Sequence, residues 1–360
     1  MNKETFAIAF SERERTGAIK EISLKIKLIF PKKINFLILL FTPGYNPKNL
    51  LETIRLTLNP EKILGLSSPF LIFENRIISK GVVACCINKE SMELYETFSK
   101  GANPQEIELF LTSSFKKLKK KNFSFFSFIS SQVDPNNYIR GVEMSLGKFS
   151  NILGFGFSRQ YSSNTSQIIN ATPCNGLTNL AIKGLEIHSL RLGGYVPLGK
   201  PFTITKSATN RNIIMEINNQ PAINIYKHYL QEKFSIFIKN HLFSFYPLGI
   251  NTNGTLRLIN IVDCLEDGSL MCIGKIRKKE SGHIMFLDSS LFIENLKTTL
   301  APLRNNGQTL IFIINSLTRK KTLGNQSKVI GLYADYSFFS DKEEEDINIE
   351  TGNLILTMWE

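Results

Sequence analysis

The chain has 360 residues, 42% of them hydrophobic and 21% charged, with 43 Lys plus Arg against 31 Asp plus Glu. That length supports two cores, and that composition excludes a disordered or fibrous chain. The net charge of +12 invites an anionic partner, but lysine is spread along the whole sequence. The one dense run, Lys116-Lys117-Leu118-Lys119-Lys120-Lys121, closes a predicted helix, where cations complement the helix dipole. No nucleic-acid or membrane partner is therefore expected.

In chain order, residues 1–30 alternate through Ile19, Ile22, Leu24, Ile26 and Leu28, which fits one amphipathic strand or a short helix. The run Ile34–Phe41 is too short for the about 20 residues a bilayer requires, and charged residues precede it. A buried strand over Asn35–Phe41 is predicted, with no targeting segment and a cytoplasmic location. Leu50, Leu51, Ile54 and Leu58 predict a helix over Asn46–Leu58. Strands follow at Lys62–Leu66 and Ile77–Cys86, a helix at Pro104–Leu118, a strand at Phe123–Ile129, a helix at Asn137–Gly147 and a strand at Ile152–Phe157. Leu177–Ile182 and Glu186–Leu192 are expected to pair through a turn at Lys183-Gly184.

From Arg191 to Tyr229 the chain is densely punctuated. A strand ends at Gly193-Gly194, Pro197-Leu198-Gly199 makes a second turn, and Phe202–Thr205 and Asn210–Ile217 are strands. Asn218-Asn219-Gln220 is a tight turn, and Pro221 opens a helix reaching about Asn240. Further strands are expected near Leu256–Ile261, Leu270–Ile276, His283–Leu287, Thr309–Asn315, Val329–Asp335 and Asn353–Trp359, with a helix over Leu291–Leu303 and an acidic loop over Asp341–Glu350. No tandem repeat of fixed period is visible. Strands alternating with helices, then antiparallel hairpins, argue an α/β (α+β) architecture with mixed sheets.

Chemistry is sparse. The five cysteines include no CxxC spacing, so neither zinc nor a disulfide framework is indicated. His188, His228, His241 and His283 are scattered, and no cofactor is expected. Gly154-Phe155-Gly156 lacks the third glycine of a dinucleotide fingerprint, Arg159 standing there instead.

The segment around Pro197-Leu198-Gly199, Thr203-Ile204-Thr205, Glu216-Ile217, Pro221-Ala222 and Tyr226 resembles the FIST family, at the point where its N-terminal sensory half meets its C-terminal partner. The resemblance runs from about residue 30 to the C-terminus. It implies two mixed-sheet domains with helices packed on the sheets, 1–217 and 218–360. It also implies a sensory protein, not an enzyme, that binds a small ligand such as an amino acid and signals through a protein partner. Gly65-Leu66-Ser67-Ser68 resembles the family's Gly-Cys-Ser-Ser turn, with Leu66 replacing Cys and Pro69-Phe70 replacing a small-plus-Gly pair. Gly154 stands for a Gly-Gly turn lining the ligand cleft. Ser316 occupies a Cys position with Arg319 retained. Gly331-Leu332-Tyr333 is kept, Tyr336-Ser337 replaces Gly-Glu, and a closing Asn-x-Thr is missing near Thr351-Gly352-Asn353. Asp267-Gly268-Ser269-Leu270 and Pro247-Leu248-Gly249 match family turns. The ligand residues implied are Gly65, Ser67, Ser68, Gly154, Ser316, Arg319 and Tyr333. An interaction module whose pocket has decayed is the alternative, and a small-metabolite enzyme using Ser67 or Ser68 a third.

Overall fold

The computed structural model describes residues 4–31, 34–74, 76–99, 104–115, 123–130, 133–146, 152–156, 167–169, 172–174, 176–185, 187–208, 212–239, 242–252, 255–273, 276–300, 310–316, 328–334, 336–340, 348–350 and 354–359. It is an α+β fold in which one αβ unit is built three times.

The first unit runs β1 (Phe6–Ser11), α1 (Thr16–Ile29), β2 (Phe36–Phe41), α2 (Pro47–Thr57), β3 (Lys62–Ser67), a hairpin of β4 (Leu71–Phe73) and β5 (Arg76–Ile78), then β6 (Val82–Ile87). Strand β2 is apolar at every position because both its faces are covered. Phe36, Ile38 and Leu40 enter one core, while Leu37, Leu39 and Phe41 enter a second, beneath α1 and α2. Helix α2 starts where Asn46 accepts from the Lys48 amide at 2.9 Å, with Pro47 at the first helical position.

The second unit repeats that plan: β7 (Glu93–Ser99), α3 (Pro104–Phe115), β8 (Ser124–Ile129), α4 (Pro135–Leu146), β9 (Ile152–Gly156), the hairpin β10 (Gln167–Ile169) and β11 (Thr172–Cys174), then β12 (Leu177–Lys183). Asp134 now accepts from the Asn136 amide at 2.8 Å, ahead of Pro135. The third unit opens with β13 (Ile187–Leu192) and is interrupted by an inserted sheet. That sheet comprises β14 (Tyr195–Ala208), β15 (Ile213–Ile217), β16 (Gln220–Pro221), β17 (Leu248–Thr252), β18 (Thr255–Cys264), β19 (Leu270–Ile273) and β20 (Ser281–Leu287), with helices α5 (Asn224–Leu230) and α6 (Phe234–Lys239). Because β14 pairs with both β15 and β20, six of these strands close into a barrel around Ile204, Tyr226, Ile250 and Ile261. The third unit then resumes with α7 (Ser289–Leu300), β21 (Leu310–Ser316), β22 (Val329–Ala334), the hairpin β23 (Tyr336–Ser340) and β24 (Asn348–Glu350), and β25 (Leu354–Trp359).

The three sheets have matching strand orders: β1-β6-β2-β3-β10-β11, β7-β12-β8-β9-β23-β24 and β13-β25-β21-β22-β4-β5. In each, the third and fourth strands are parallel, and the last two are a hairpin donated by another unit. The donation is cyclic: the first unit's hairpin joins the third sheet, the second joins the first, and the third joins the second. All three sheets share one core, centred on Phe126, which meets Phe312 at 5.5 Å and Trp359 at 5.6 Å, both edge-on.

Several expectations change. Residues 1–30 hold both a strand and a helix. Strands β12 and β13 do not pair with each other; after Gly184 the chain leaves the second sheet and enters the third. Ile77–Cys86 divides into β5 and β6. The turn expected at Pro197-Leu198-Gly199 is a bulge inside β14, where Gly199 (φ 75°) lets the Tyr229 ring lie against the backbone. Pro221 closes a strand pair, and the helix begins at Asn224. Pro247-Leu248-Gly249 opens strand β17, where a Cβ on Gly249 would lie 2.5 Å from Met285. Asn348–Glu350 is a strand rather than loop. The remaining acidic residues, 341–347, and the lysine run lie outside the described residues.

Candidate functional site

Ligands of open α/β sheets gather outside the carboxyl ends of parallel strands. Here three such ends converge. The first lies where β3 ends at Ser67; just beyond it the Ser68 hydroxyl lies 2.7 Å from the Tyr333 carbonyl oxygen, and the Tyr333 amide donates to the Phe70 carbonyl at 3.1 Å. That joins the ends of β3 and β22. Past β22, β23 pairs Tyr336 with Gly156, the last residue of β9. Past β9, β10 pairs Gln167 with Leu66, next to Ser67. The three hairpins thus tie the carboxyl ends into a ring.

The registers make residues in the ring equivalent. Gly65, Gly154 and Gly331 sit opposite Leu39, Ser127 and Ile313 of the parallel partners. Two residues on stand Ser67, Gly156 and Tyr333. Of the positions expected from the sequence, Gly65, Ser67, Ser68, Gly154, Ser316 and Tyr333 therefore fall on the strands of this ring or next to them. Gly65 and Gly154 lie inside strands rather than in turns. Ser316 ends β21 opposite Ala334. Arg319 lies outside the described residues.

Two hydroxyls at the ring are buried without a hydrogen-bond partner among the described residues, Ser67 Oγ and Ser130 Oγ. Ser130 is the equivalent of Thr42. The amides of both residues donate to the carbonyl of a glycine, Thr42 to Gly81 at 3.0 Å and Ser130 to Gly176 at 2.9 Å. Thr42 additionally accepts from the Gly81 amide at 3.0 Å, whereas Ser130 has nothing comparable. A buried polar atom left unpaired destabilises by about 1–3 kcal/mol. Phe70 stands edge-on to Tyr333 at 5.6 Å. Burial pushes the Tyr333 phenol well above its ordinary value, so it stays neutral.

Sequence reading missed a second polar group, in the second unit. Ser127 Oγ and Tyr138 OH lie 2.7 and 2.8 Å from Asn179 Oδ1 and 2.6 Å from each other, all three residues fully buried. Asn179 Nδ2 has no partner among the described residues. Burial raises the Tyr138 phenol and the Ser127 contact partly opposes that. A signal was available: Ser127 interrupts the apolar run Phe125–Ile129, and Asn179 interrupts Leu177–Ile182.

No catalytic array competes with this picture among the described residues. His188 lies on β13, His283 on β20, and His228 on α5 against Tyr229 at 4.9 Å; His241 is outside them. Within the described residues no cluster of His, Cys, Asp and Glu could hold a metal, and no helix is long and apolar enough to cross a membrane.

The family model for the FIST N domain matches residues 35–220, and that for the FIST C domain matches residues 222–340, together most of the chain. A search of curated proteins gave no match.

Proposed function

Since the chain belongs to the FIST family, whose domains are sensory and signal-transduction modules rather than catalysts, we propose that it is a small-ligand sensor reading occupancy at the ring of strand ends. The observation that carries this is the pair of buried hydroxyls without a partner among the described residues, Ser67 at the end of β3 and Ser130 after β8, at the carboxyl ends of two parallel strand pairs. An amino acid or related small metabolite is the ligand class we favour. The segments 1–217 and 218–360 act in this reading as one binding body, because strands from residues 310–359 complete sheets begun by residues 71–192.

Transmission has a physical route. The barrel residue Ile273 is buried in the core beneath α3 and α4, with Val262 packed beside it. A ligand that binds one arrangement of the second unit more tightly shifts the barrel's position by population, and a protein partner would read that shift. Loss of the family's Cys, Gly-Glu and Asn-x-Thr positions favours a second reading, an interaction module with an emptied pocket.

A thermal-shift screen against amino acids, small carboxylates and nucleotides separates the two. Ligand at 100 times its Kd adds about 2.7 kcal/mol of stability. The sensor reading expects a selective shift that Ser67→Ala abolishes without lowering the ligand-free Tm. No shift across the panel contradicts it and supports the interaction module.

A further inference from the structure

The threefold repeat supplies an internal control for the polar group at Ser127, Tyr138 and Asn179. Aligning the units by register places Leu39 and Ala84 of the first at the positions of Ser127 and Asn179. Counting on from the shared cap-and-proline pairs, Asn46-Pro47 and Asp134-Pro135, places Leu50 at the position of Tyr138. Leu39, Leu50 and Ala84 are buried in an ordinary apolar core. In the third unit the strand positions are Ile313 and Leu356. The first unit thus fills all three positions, and the third its two strand positions, with apolar residues, and the second unit's departure needs a reason other than folding.

We propose that the second unit encloses a compact, uncharged polar group of the ligand, a primary amide or its hydrogen-bonding equivalent, against Asn179, Ser127 and Tyr138. This deepens the sensor reading and rests on it. The three oxygens share only two hydroxyl protons, both within reach of Asn179 Oδ1, so Ser127 keeps an acceptor lone pair. Asn179 Nδ2 keeps its donors. Donor and acceptor side by side match an amide, whose carbonyl accepts while its NH2 donates.

Charge is disfavoured by the surroundings. Leu111, Phe125, Ile129 and Val142 line that core, and none of the buried polar side chains among the described residues is a lysine or arginine, so a buried carboxylate would find no cation among them. Glycines line this face of β9. Leu153 and Phe155 face the central core while Ile152 faces the core beneath α3 and α4. Gly154 and Gly156 alternate with them onto the Ile152 face, so β9 presents no side chain between the strand end and Ser127, which pairs with Gly154.

The test is calorimetric titration of the full chain with acetamide, propionamide and nicotinamide beside acetate, propionate and nicotinate. At least one amide is expected to bind at least tenfold more tightly than its carboxylate counterpart. Asn179→Leu, which copies Leu356, is expected to weaken that binding more than tenfold while the ligand-free Tm holds or rises. Ser127→Ala, the milder variant, should weaken it in the same direction. Equal affinity for the carboxylates, or binding retained in Asn179→Leu, overturns the proposal. So does failure of every amide while Asn179→Leu raises the Tm, which would leave only a buried water at Nδ2. A panel compound whose binding Ser67→Ala removes and Asn179→Leu preserves would keep the strand-end sensor and overturn this deeper assignment alone.

Discussion

The first and second units are the same object built twice, and they differ where it matters for function. Both cap a helix with Asn46 or Asp134 ahead of proline. Both bind a glycine carbonyl with the residue after the second strand. Both send alternate residues of that strand into the central core. Yet the opposite face reads Leu39, Leu50, Ala84 in one and Ser127, Tyr138, Asn179 in the other. Shared features of the two report what the fold requires; the polar triad, absent from the first, reports what the second was shaped to do.

The largest predicted effects lie in the skeleton the units share. Ile38, Phe126 and Phe312 are equivalent by register and all buried in the common core. Phe126→Ala and Phe312→Ala should each destabilise by about 3–5 kcal/mol, and Ile38→Ala by about 2–5 kcal/mol. Urea unfolding measures this; a loss below about 1 kcal/mol at Phe126 would detach the second unit from that core.

Next come the equivalent glycines. A Cβ at Gly176 would lie 2.3 Å from the Ser99 carbonyl oxygen, whereas at Gly81 the nearest atom is the Phe10 ring edge at 2.7 Å and the nearest backbone oxygen, of Ser11, is 2.9 Å away. A ring can move more easily than a backbone carbonyl, and the carbonyl lies closer at Gly176, so Gly176→Ala should destabilise more than Gly81→Ala, within the about 1–3 kcal/mol typical of overpacking. The reverse order, read from thermal unfolding, would contradict the packing described.

Copying the first unit into the second, as Ser127→Leu, Tyr138→Leu and Asn179→Ala together, should be neutral or stabilising by up to about 2 kcal/mol in the absence of ligand. It removes an unpaired buried donor along with its partners. A marked loss would mean that the triad serves folding.

The smallest effect concerns the first unit alone. Hydrogen bonds from Lys25 and then Ser11 lower the Glu21 carboxyl below its ordinary 4.5. Its contribution is full above that value and fades as pH falls through the lowered one. Glu21→Gln should flatten the acid limb of the stability profile slightly; an unchanged limb would show that the exposed pair adds nothing.

Much of this was legible in the sequence. Phe36–Phe41 could be read because a strand covered on both faces is apolar throughout, and α2 because its cap, proline and helical spacing agree. Strand β7, Glu-Leu-Tyr-Glu-Thr-Phe-Ser, was missed because it lies half-exposed with no apolar run. The repeat was hidden because the barrel interrupts the third unit and because equivalent strands share a face pattern rather than identities: Ile63-Leu64-Gly65-Leu66-Ser67 against Ile152-Leu153-Gly154-Phe155-Gly156. Pairing of β13 with β25, far apart in the chain, is set by the shared core and leaves no local trace. Ser67, Ser68 and Gly154 could be singled out by family resemblance, but their meeting place depends on the hairpin exchange. The triad went unseen because each member alone looks like an ordinary polar interruption.

The most direct test of the strand-end site is backbone hydrogen exchange of the full chain with and without a compound that raises its Tm. The account predicts slowed exchange at the three strand ends together, around Leu66–Ser68, Phe155–Gly156 and Leu332–Ala334, and at Ile129–Ser130 beside them, with the strongest change in the second unit. Protection confined to the barrel, residues 195–287, with these ends unchanged, would contradict it.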